Sequence, residues 1–115
     1  QILSDQMLNY CHQGIDLILT TGGTGFSKRD VTPEATADIV ERRADNLTFA
    51  MIANSLQYTP KAMLSRGIAG IRENTLIVNL PGSPKAVREN LEYAIDAIIH
   101  GVKILKGDDA ECARK

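Results

Sequence analysis

The chain has 115 residues, 43% apolar and 23% charged, and its 13 basic and 14 acidic side chains leave a formal charge of -1. That length admits one domain with one core, and so small a charge excludes a global field gathering nucleic acid or an anionic membrane, so any anion must be bound by local geometry. No apolar run approaches the roughly 20 residues of a membrane span, and no signal-peptide pattern opens the chain.

The two cysteines, Cys11 and Cys112, lie near opposite ends, with no CxxC pair and no histidine cluster that would suit zinc. They read as two ordinary thiols of a cytoplasmic protein in a reducing compartment rather than as a disulfide or a nucleophile.

In chain order, Ile2, Leu3, Met7, Leu8 and Cys11 recur at helical spacing up to about Gly14. Gln1 rather than Met opens the chain inside this helical pattern, so an upstream segment is expected, whether from a longer natural protein or from another copy or chain. Residues 15–20 form a short strand whose nearly continuous apolarity suits cover on both faces. Thr32-Pro33-Glu34 starts a helix, with Thr32 as N-cap, Pro33 in the first helical position and Glu34 complementing the positive end. The pattern carries that helix to about Arg43. Asp45 or Asn46 then caps a second helix bearing Leu47, Phe49, Met51, Ile52 and Leu56, which ends before Thr59-Pro60.

A brief turn or helix from Ala62 gives way to a strand over residues 67–72. Glu73-Asn74 makes a tight polar connection to a second apolar strand over 75–80, and the pair reads as a hairpin in a mixed sheet. Ser83-Pro84 repeats the cap-plus-proline start, and Val87, Leu91, Ala94, Ile95, Ile98, Val102 and Leu105 mark one face of the longest helix, reaching about Lys106. Gly107 ends it, and 108–115 is a polar tail without periodicity.

Two loops share one design: each follows an apolar strand, contains glycine and runs into a helix headed by Thr-Pro or Ser-Pro. They are Thr21-Gly22-Gly23-Thr24-Gly25 and Leu80-Pro81-Gly82-Ser83-Pro84. In an open α/β sheet, two such loops can face one crevice beyond the carboxyl ends of parallel strands. Glycine lets backbone N–H groups approach phosphate oxygens, and a helix N-terminus adds unpaired donors. The plainer reading is that the glycines only permit turns, since neither loop matches GxGxxG or GxxxxGK[ST].

Asp30, with Lys28 and Arg29 beside it, falls on the ligand side of such a sheet. An acid near phosphates implies a divalent cation between them. By spacing alone the plainer reading prevails, a surface carboxylate paired with Arg29 or near the helix N-terminus. Lys85 likewise reads as a phosphate contact or a solvated lysine.

Four stretches together resemble a known family: Thr20-Thr21-Gly22-Gly23-Thr24-Gly25, Arg29-Asp30-Val31-Thr32-Pro33-Glu34-Ala35-Thr36, Met63-Leu64-Ser65-Arg66, and Asn79-Leu80-Pro81-Gly82-Ser83-Pro84-Lys85. In order and spacing they are similar to the molybdopterin adenylyltransferases, the MogA/MoaB-like group that includes the G domains of gephyrin and its plant counterpart. The resemblance implies an α/β fold, a three-layer α/β/α sandwich with a mostly parallel mixed sheet, commonly assembled as a homotrimer. It also implies Mg-ATP-dependent adenylylation of molybdopterin with release of pyrophosphate, in molybdenum cofactor biosynthesis.

By the same resemblance, Asp30 is the catalytic aspartate that positions Mg²⁺ and phosphate. Thr21, Gly22, Gly23, Thr24 and Gly25 cradle the phosphate of molybdopterin or of ATP. Pro81, Gly82 and Ser83 line the nucleotide side, Ser65 and Arg66 face the pterin side with Arg66 offering forked donors to an anion, and Glu34 holds the loop or supports the metal. Residues 1–115 correspond to the C-terminal two thirds of the family domain. A preceding strand with a Ser-Asp motif and a later Pro-Asp-Glu stretch are not in this sequence, whereas residues 105–113 resemble the family's ending. The alternatives implied are a molybdopterin-binding or scaffold module without adenylyl transfer, and the related molybdate-insertion domain.

Overall fold

The computed structural model describes residues 2–107. Its elements are α1 (Ile2–His12), β1 (Leu17–Thr21), α2 (Thr32–Ile39), β2 (Arg42–Arg43), α3 (Asp45–Ser55), a 3-10 turn (Pro60–Leu64), β3 (Ala69–Arg72), β4 (Thr75–Leu80) and α4 (Pro84–Leu105). The strands form one mixed sheet in the order β1-β4-β3-β2. β1 runs parallel to β4 with Thr21 beside Leu80, while β3 is antiparallel to both β4 and β2. The parallel character therefore rests on the β1–β4 pair, which is the pair that carries the glycine loops.

Helices cover both faces, giving three layers. On one side Met51, Leu76, Val78, Leu80, Ala94 and Ile98 close a core beneath α3 and α4. On the other, Met7, Cys11, Ala35, Ile39 and Ile77 close a second core beneath α1 and α2. β4 is buried along its whole length, because its alternate side chains feed the two cores in turn. Each fully buried Ile or Leu there stabilises by about 1.5–3 kcal/mol.

Three local expectations are corrected. β1 has cover on both faces, Leu17 packing on one core and Ile18 on the other, but the cover is partial: among the described residues β1 is the edge of the sheet, and Leu19 is 37% exposed. The helix after Pro33 ends at Ile39, not near Arg43, because Val40 turns extended and the next residues join the sheet: Glu41 N–H donates to Ile71 O and Ala44 N–H to Ala69 O. Pairing with β3 overrides a helical pattern that β-branched Val40 supports weakly. The caps shift as well: Val31 is the N-cap of α2, with Thr32 inside the helix, and Asp45 lies within α3, where it pairs with Arg43 Nε at 3.0 Å. Ser83 does cap α4, its Oγ accepting the Ala86 N–H at 3.3 Å.

Cys11 is buried and free, and burial pushes its thiol above the ordinary value of 9.0. A protonated, inaccessible thiol is a poor nucleophile. Cys11 is expected to resist maleimide in native protein and to react at least about tenfold faster in denaturant, as peptide mapping by mass spectrometry would show; rapid native labelling would contradict its placement. Cys112 and the polar tail over 108–115 lie outside the described residues.

Candidate functional site

The two glycine bends meet. Because Thr21 and Leu80 are in register at the carboxyl ends of parallel strands, the chain leaves both strands side by side, and Gly22 N–H donates to Leu80 O at 3.0 Å. A Cβ on Gly82 would stand 3.3 Å from Gly22 Cα. The bends are thus close to backbone contact, and a side chain at Gly82 would fit only if its neighbour gave way by a few tenths of an ångström. Gly22 and Gly23 adopt φ of +84° and +71°, a region that favours glycine.

Both bends line a single cavity of about 440 Å³, a size ordinary for small-molecule sites. Gly22, Gly23, Thr24, Gly25 and Asp30 form one wall, Pro81, Gly82 and Ser83 another, and Ser65 and Gly67 lie between. Among the described residues, no protein acceptor takes the N–H of Gly23, Thr24 or Gly25. Unpaired amides on a concave backbone, with the N-terminus of the 22-residue α4 beside them, suit an anion.

Asp30 is held by its own turn. Its Oδ2 accepts the Ser27 N–H at 3.1 Å and its N–H donates to Ser27 O at 2.9 Å. Gly25 lies against it, since a Cβ there would sit 2.9 Å from Oδ2. Among the described residues no cation is within ion-pair distance of the Asp30 carboxylate, so Arg29 is not its partner.

The remaining candidates divide. Ser65 joins Asp30 and the glycines at the cavity, but Thr21, Arg66, Lys85, Lys28 and Arg29 do not line it. Arg66 is turned into the protein, where Nε donates to Gly25 O at 2.7 Å, Nη2 to Asp30 O at 2.5 Å and Nη1 to Glu34 Oε2 at 2.5 Å. Glu34 is therefore a partner of Arg66 rather than a wall of the site.

Half of the cavity has no signal in the sequence. Its far end is lined by Met51, Ile52, Ser55 and Asn90 from α3 and α4 and by Ala62 from the 3-10 turn, beside Leu64 of the third family-like stretch. Ser55 Oγ donates to Asn90 Oδ1 at 2.8 Å, and Asn90 is 4% exposed. These residues read as ordinary helix faces; only the packing of α3 on α4 turns them toward a ligand. Asn79 opens the last of the four family-like stretches, which by itself suggests no role for it. It is buried on β4, donates to Thr20 Oγ1 and Thr36 Oγ1 and accepts the Ile68 N–H, which ties β1 and α2 together behind the glycine loop.

The Arg66 hydrogen bond, then a backbone hydrogen bond, hold the Glu34 carboxyl below its ordinary value of 4.5. A depressed folded-state value stabilises fully above 4.5 and is lost as pH falls through the folded value. The Tm of wild type should thus exceed that of Glu34→Gln at neutral pH and converge on it in acid below that range. A gap independent of pH would show that the pair contributes nothing electrostatic.

A mixed sheet between two helical layers, with an amide-lined cavity at the carboxyl ends of its parallel strands, defines an α/β ligand-binding domain. The family described as a probable molybdopterin binding domain matches residues 2–100, and the chain belongs to that family. It is 50% identical over 103 residues to gephyrin of Dictyostelium discoideum, covering 90% of this chain and 14% of that protein. It is 42% identical over 108 residues to molybdopterin adenylyltransferase of Helicobacter pylori, covering 93% of this chain and 61% of that protein. The molybdopterin biosynthesis enzyme MoaB of Thermus thermophilus matches with a TM-score of 0.85 at 44% identity, over 92% of this chain and 67% of that one. The chain thus spans under two thirds of the length of these two curated relatives.

Proposed function

We propose that the protein containing this chain adenylylates molybdopterin with Mg-ATP in molybdenum cofactor biosynthesis. The observation that carries the reading is the meeting of two glycine bends, with Asp30 beside them, at one cavity. Relatives of 42% and 47% identity bearing the name molybdopterin adenylyltransferase support it.

In the reaction, a terminal phosphate oxygen of molybdopterin attacks the α-phosphorus of ATP. The bond from that phosphorus to the oxygen bridging to the β-phosphorus breaks, and pyrophosphate leaves with the electron pair. Such a displacement is catalysed by positioning and charge neutralisation. Gly22, Gly23, Thr24 and Gly25 would present amides to phosphate oxygens, Pro81, Gly82 and Ser83 would bound the nucleotide, and Ser65 would face the pterin.

Magnesium fits the donor set in its usual manner: one carboxylate, Asp30, with phosphate oxygens and water completing the shell. Among the described residues there is no cluster of three metal-binding side chains, and phosphate oxygens of the substrate would add ligands to Asp30. When bound, the ion supplies charge neutralisation between acid and phosphates. Thr21, exposed at the end of β1 and outside the cavity lining, would take part only through the loop it begins.

Residues 1–115 are read as the C-terminal two thirds of the family domain. The 61% and 67% coverage of relatives supports this, as does β1, whose outer edge is open to another strand. A homotrimer is part of the same reading, and exposed Phe26, Phe49 and Met63 are apolar surface suited to assembly. No helix among the described residues is long and apolar enough to cross a membrane; a cytoplasmic location is part of the same proposal. Nucleic acid has no place in this reading.

Full-length protein, molybdopterin and ATP labelled at the α-phosphorus provide the test. Label on the pterin with matching pyrophosphate, dependent on Mg²⁺, is expected. A second reading, a molybdopterin-binding module without transfer, is favoured by the family's description, which names binding alone. Pterin binding without pyrophosphate release would establish it and overturn the first.

A further inference from the structure

Arg66 makes four hydrogen bonds to the glycine loop and the helix after it, yet it lines none of the cavity. Its backbone N–H donates to Thr24 O at 2.7 Å. Its side chain spends all three guanidinium nitrogens on Gly25 O, Asp30 O and the Glu34 carboxylate. A planar fork satisfies three acceptors in one plane, as a lysine ammonium cannot.

The consequence for the loop follows from peptide geometry. In a trans peptide the carbonyl and the following N–H point opposite ways, and the described residues contain no cis peptide. Turning the Thr24 and Gly25 carbonyls toward Arg66 therefore turns the N–H groups of Gly25 and Phe26 away from it. Gly25 lines the cavity, whereas Arg66, bonded to the Gly25 carbonyl, does not. The same guanidinium also holds the carbonyl of Asp30, the residue whose own turn with Ser27 sets its carboxylate against Gly25. Glu34 neutralises the guanidinium, leaving little net charge to attract a phosphate.

We infer that Arg66 is a positioning residue: with Glu34 as its anchor it orients the loop amides and Asp30 for the anion without touching the anion itself. The inference rests, for its activity readout, on the adenylyltransferase reading above. It makes opposite predictions from an arginine that binds phosphate. A phosphate-binding arginine is partly replaced by lysine, which binds phosphate as a point charge, and is strengthened when its competing carboxylate is removed. A positioning arginine is rescued by neither change.

Full-length wild type, Arg66→Lys, Arg66→Ala and Glu34→Gln should be compared by kcat and KM for Mg-ATP and molybdopterin, by affinity for inorganic pyrophosphate, and by the amide NMR shifts of Gly25 and Phe26 without ligand. Thermal unfolding identifies any variant that fails to fold; Glu34→Gln, altering an exposed side chain, keeps the test open. Arg66→Lys is expected to be within about threefold of Arg66→Ala, with kcat down at least about tenfold. Glu34→Gln should weaken pyrophosphate binding, and all three variants should move both amide shifts. Rescue by lysine, tighter pyrophosphate binding in Glu34→Gln, or unmoved amide shifts in the folded variants would overturn the inference. Absence of AMP transfer in wild type would sink the adenylyltransferase reading alone, because the amide shifts still decide the role of Arg66.

Discussion

Asp30→Asn in the full-length protein is expected to fold normally and to lower adenylyl transfer at least about tenfold, roughly 1.4 kcal/mol of barrier. The substitution keeps shape and one side-chain oxygen, so the Ser27 N–H can retain its acceptor, now 3.1 Å away. What it removes is the charge. An amide holds Mg²⁺ far less well than a carboxylate, and two sets of phosphate oxygens must then approach with less neutralisation. Gly25 packs directly against this side chain, so the loss is registered where the loop amides meet the anion. Steady-state transfer at several Mg²⁺ concentrations, with Tm held within about 1 °C of wild type, is the measurement. Unchanged turnover would remove Asp30 from the mechanism.

Gly23→Val is expected to destabilise the fold itself, by on the order of 3 kcal/mol or more. Read from sequence, a side chain here would only obstruct an anion. The structure sets a prior obstacle: a Cβ at Gly23 would fall 2.2 Å from Thr32 Oγ1, and φ is +71°. Left-handed backbone costs a non-glycine residue about 1–2 kcal/mol, and overpacking adds about 1–3 kcal/mol. Thr32 cannot simply retreat, because it is buried in the first turn of α2 and its N–H is bonded to Gly23 O at 3.1 Å. Urea unfolding should show the loss, and Gly23→Ala combined with Thr32→Ala should relieve the collision but not the backbone strain. An unchanged unfolding midpoint in Gly23→Val would refute the packing account.

Together these substitutions separate two uses of the same loop. A side chain at Gly23 would collide with Thr32, whereas Gly22 is constrained by its φ of +84° and Gly82 by a tight approach to the Gly22 backbone. All three are constraints of the fold, and the collision at Gly23, at 2.2 Å, is the most severe. Substitutions along one loop are therefore expected to differ in size.

Much of the architecture is legible without coordinates. Periodicity places α1, α3 and α4 and the β3–β4 hairpin, because amphipathic spacing and punctuation by Gly, Pro and Ser are local properties of the chain. Strand β2 is not legible. Two exposed arginines carry no strand signal, and they become a strand only because β3 offers hydrogen bonds beside them. Nor does the apolarity of β1 reveal which of its sides is paired.

The candidate site divides along the same line. By themselves the residues determined that two glycine-bearing loops precede helices and that an acid follows the first loop, since turn chemistry and capping depend on neighbours in the chain. Only tertiary structure brought the loops close to backbone contact, gave Arg66 to three carbonyls and a carboxylate instead of the cavity, and closed the far end with Ser55 and Asn90. Those outcomes depend on parallel register and helix packing between segments tens of residues apart, and no local pattern encodes which of several polar partners a long side chain will reach.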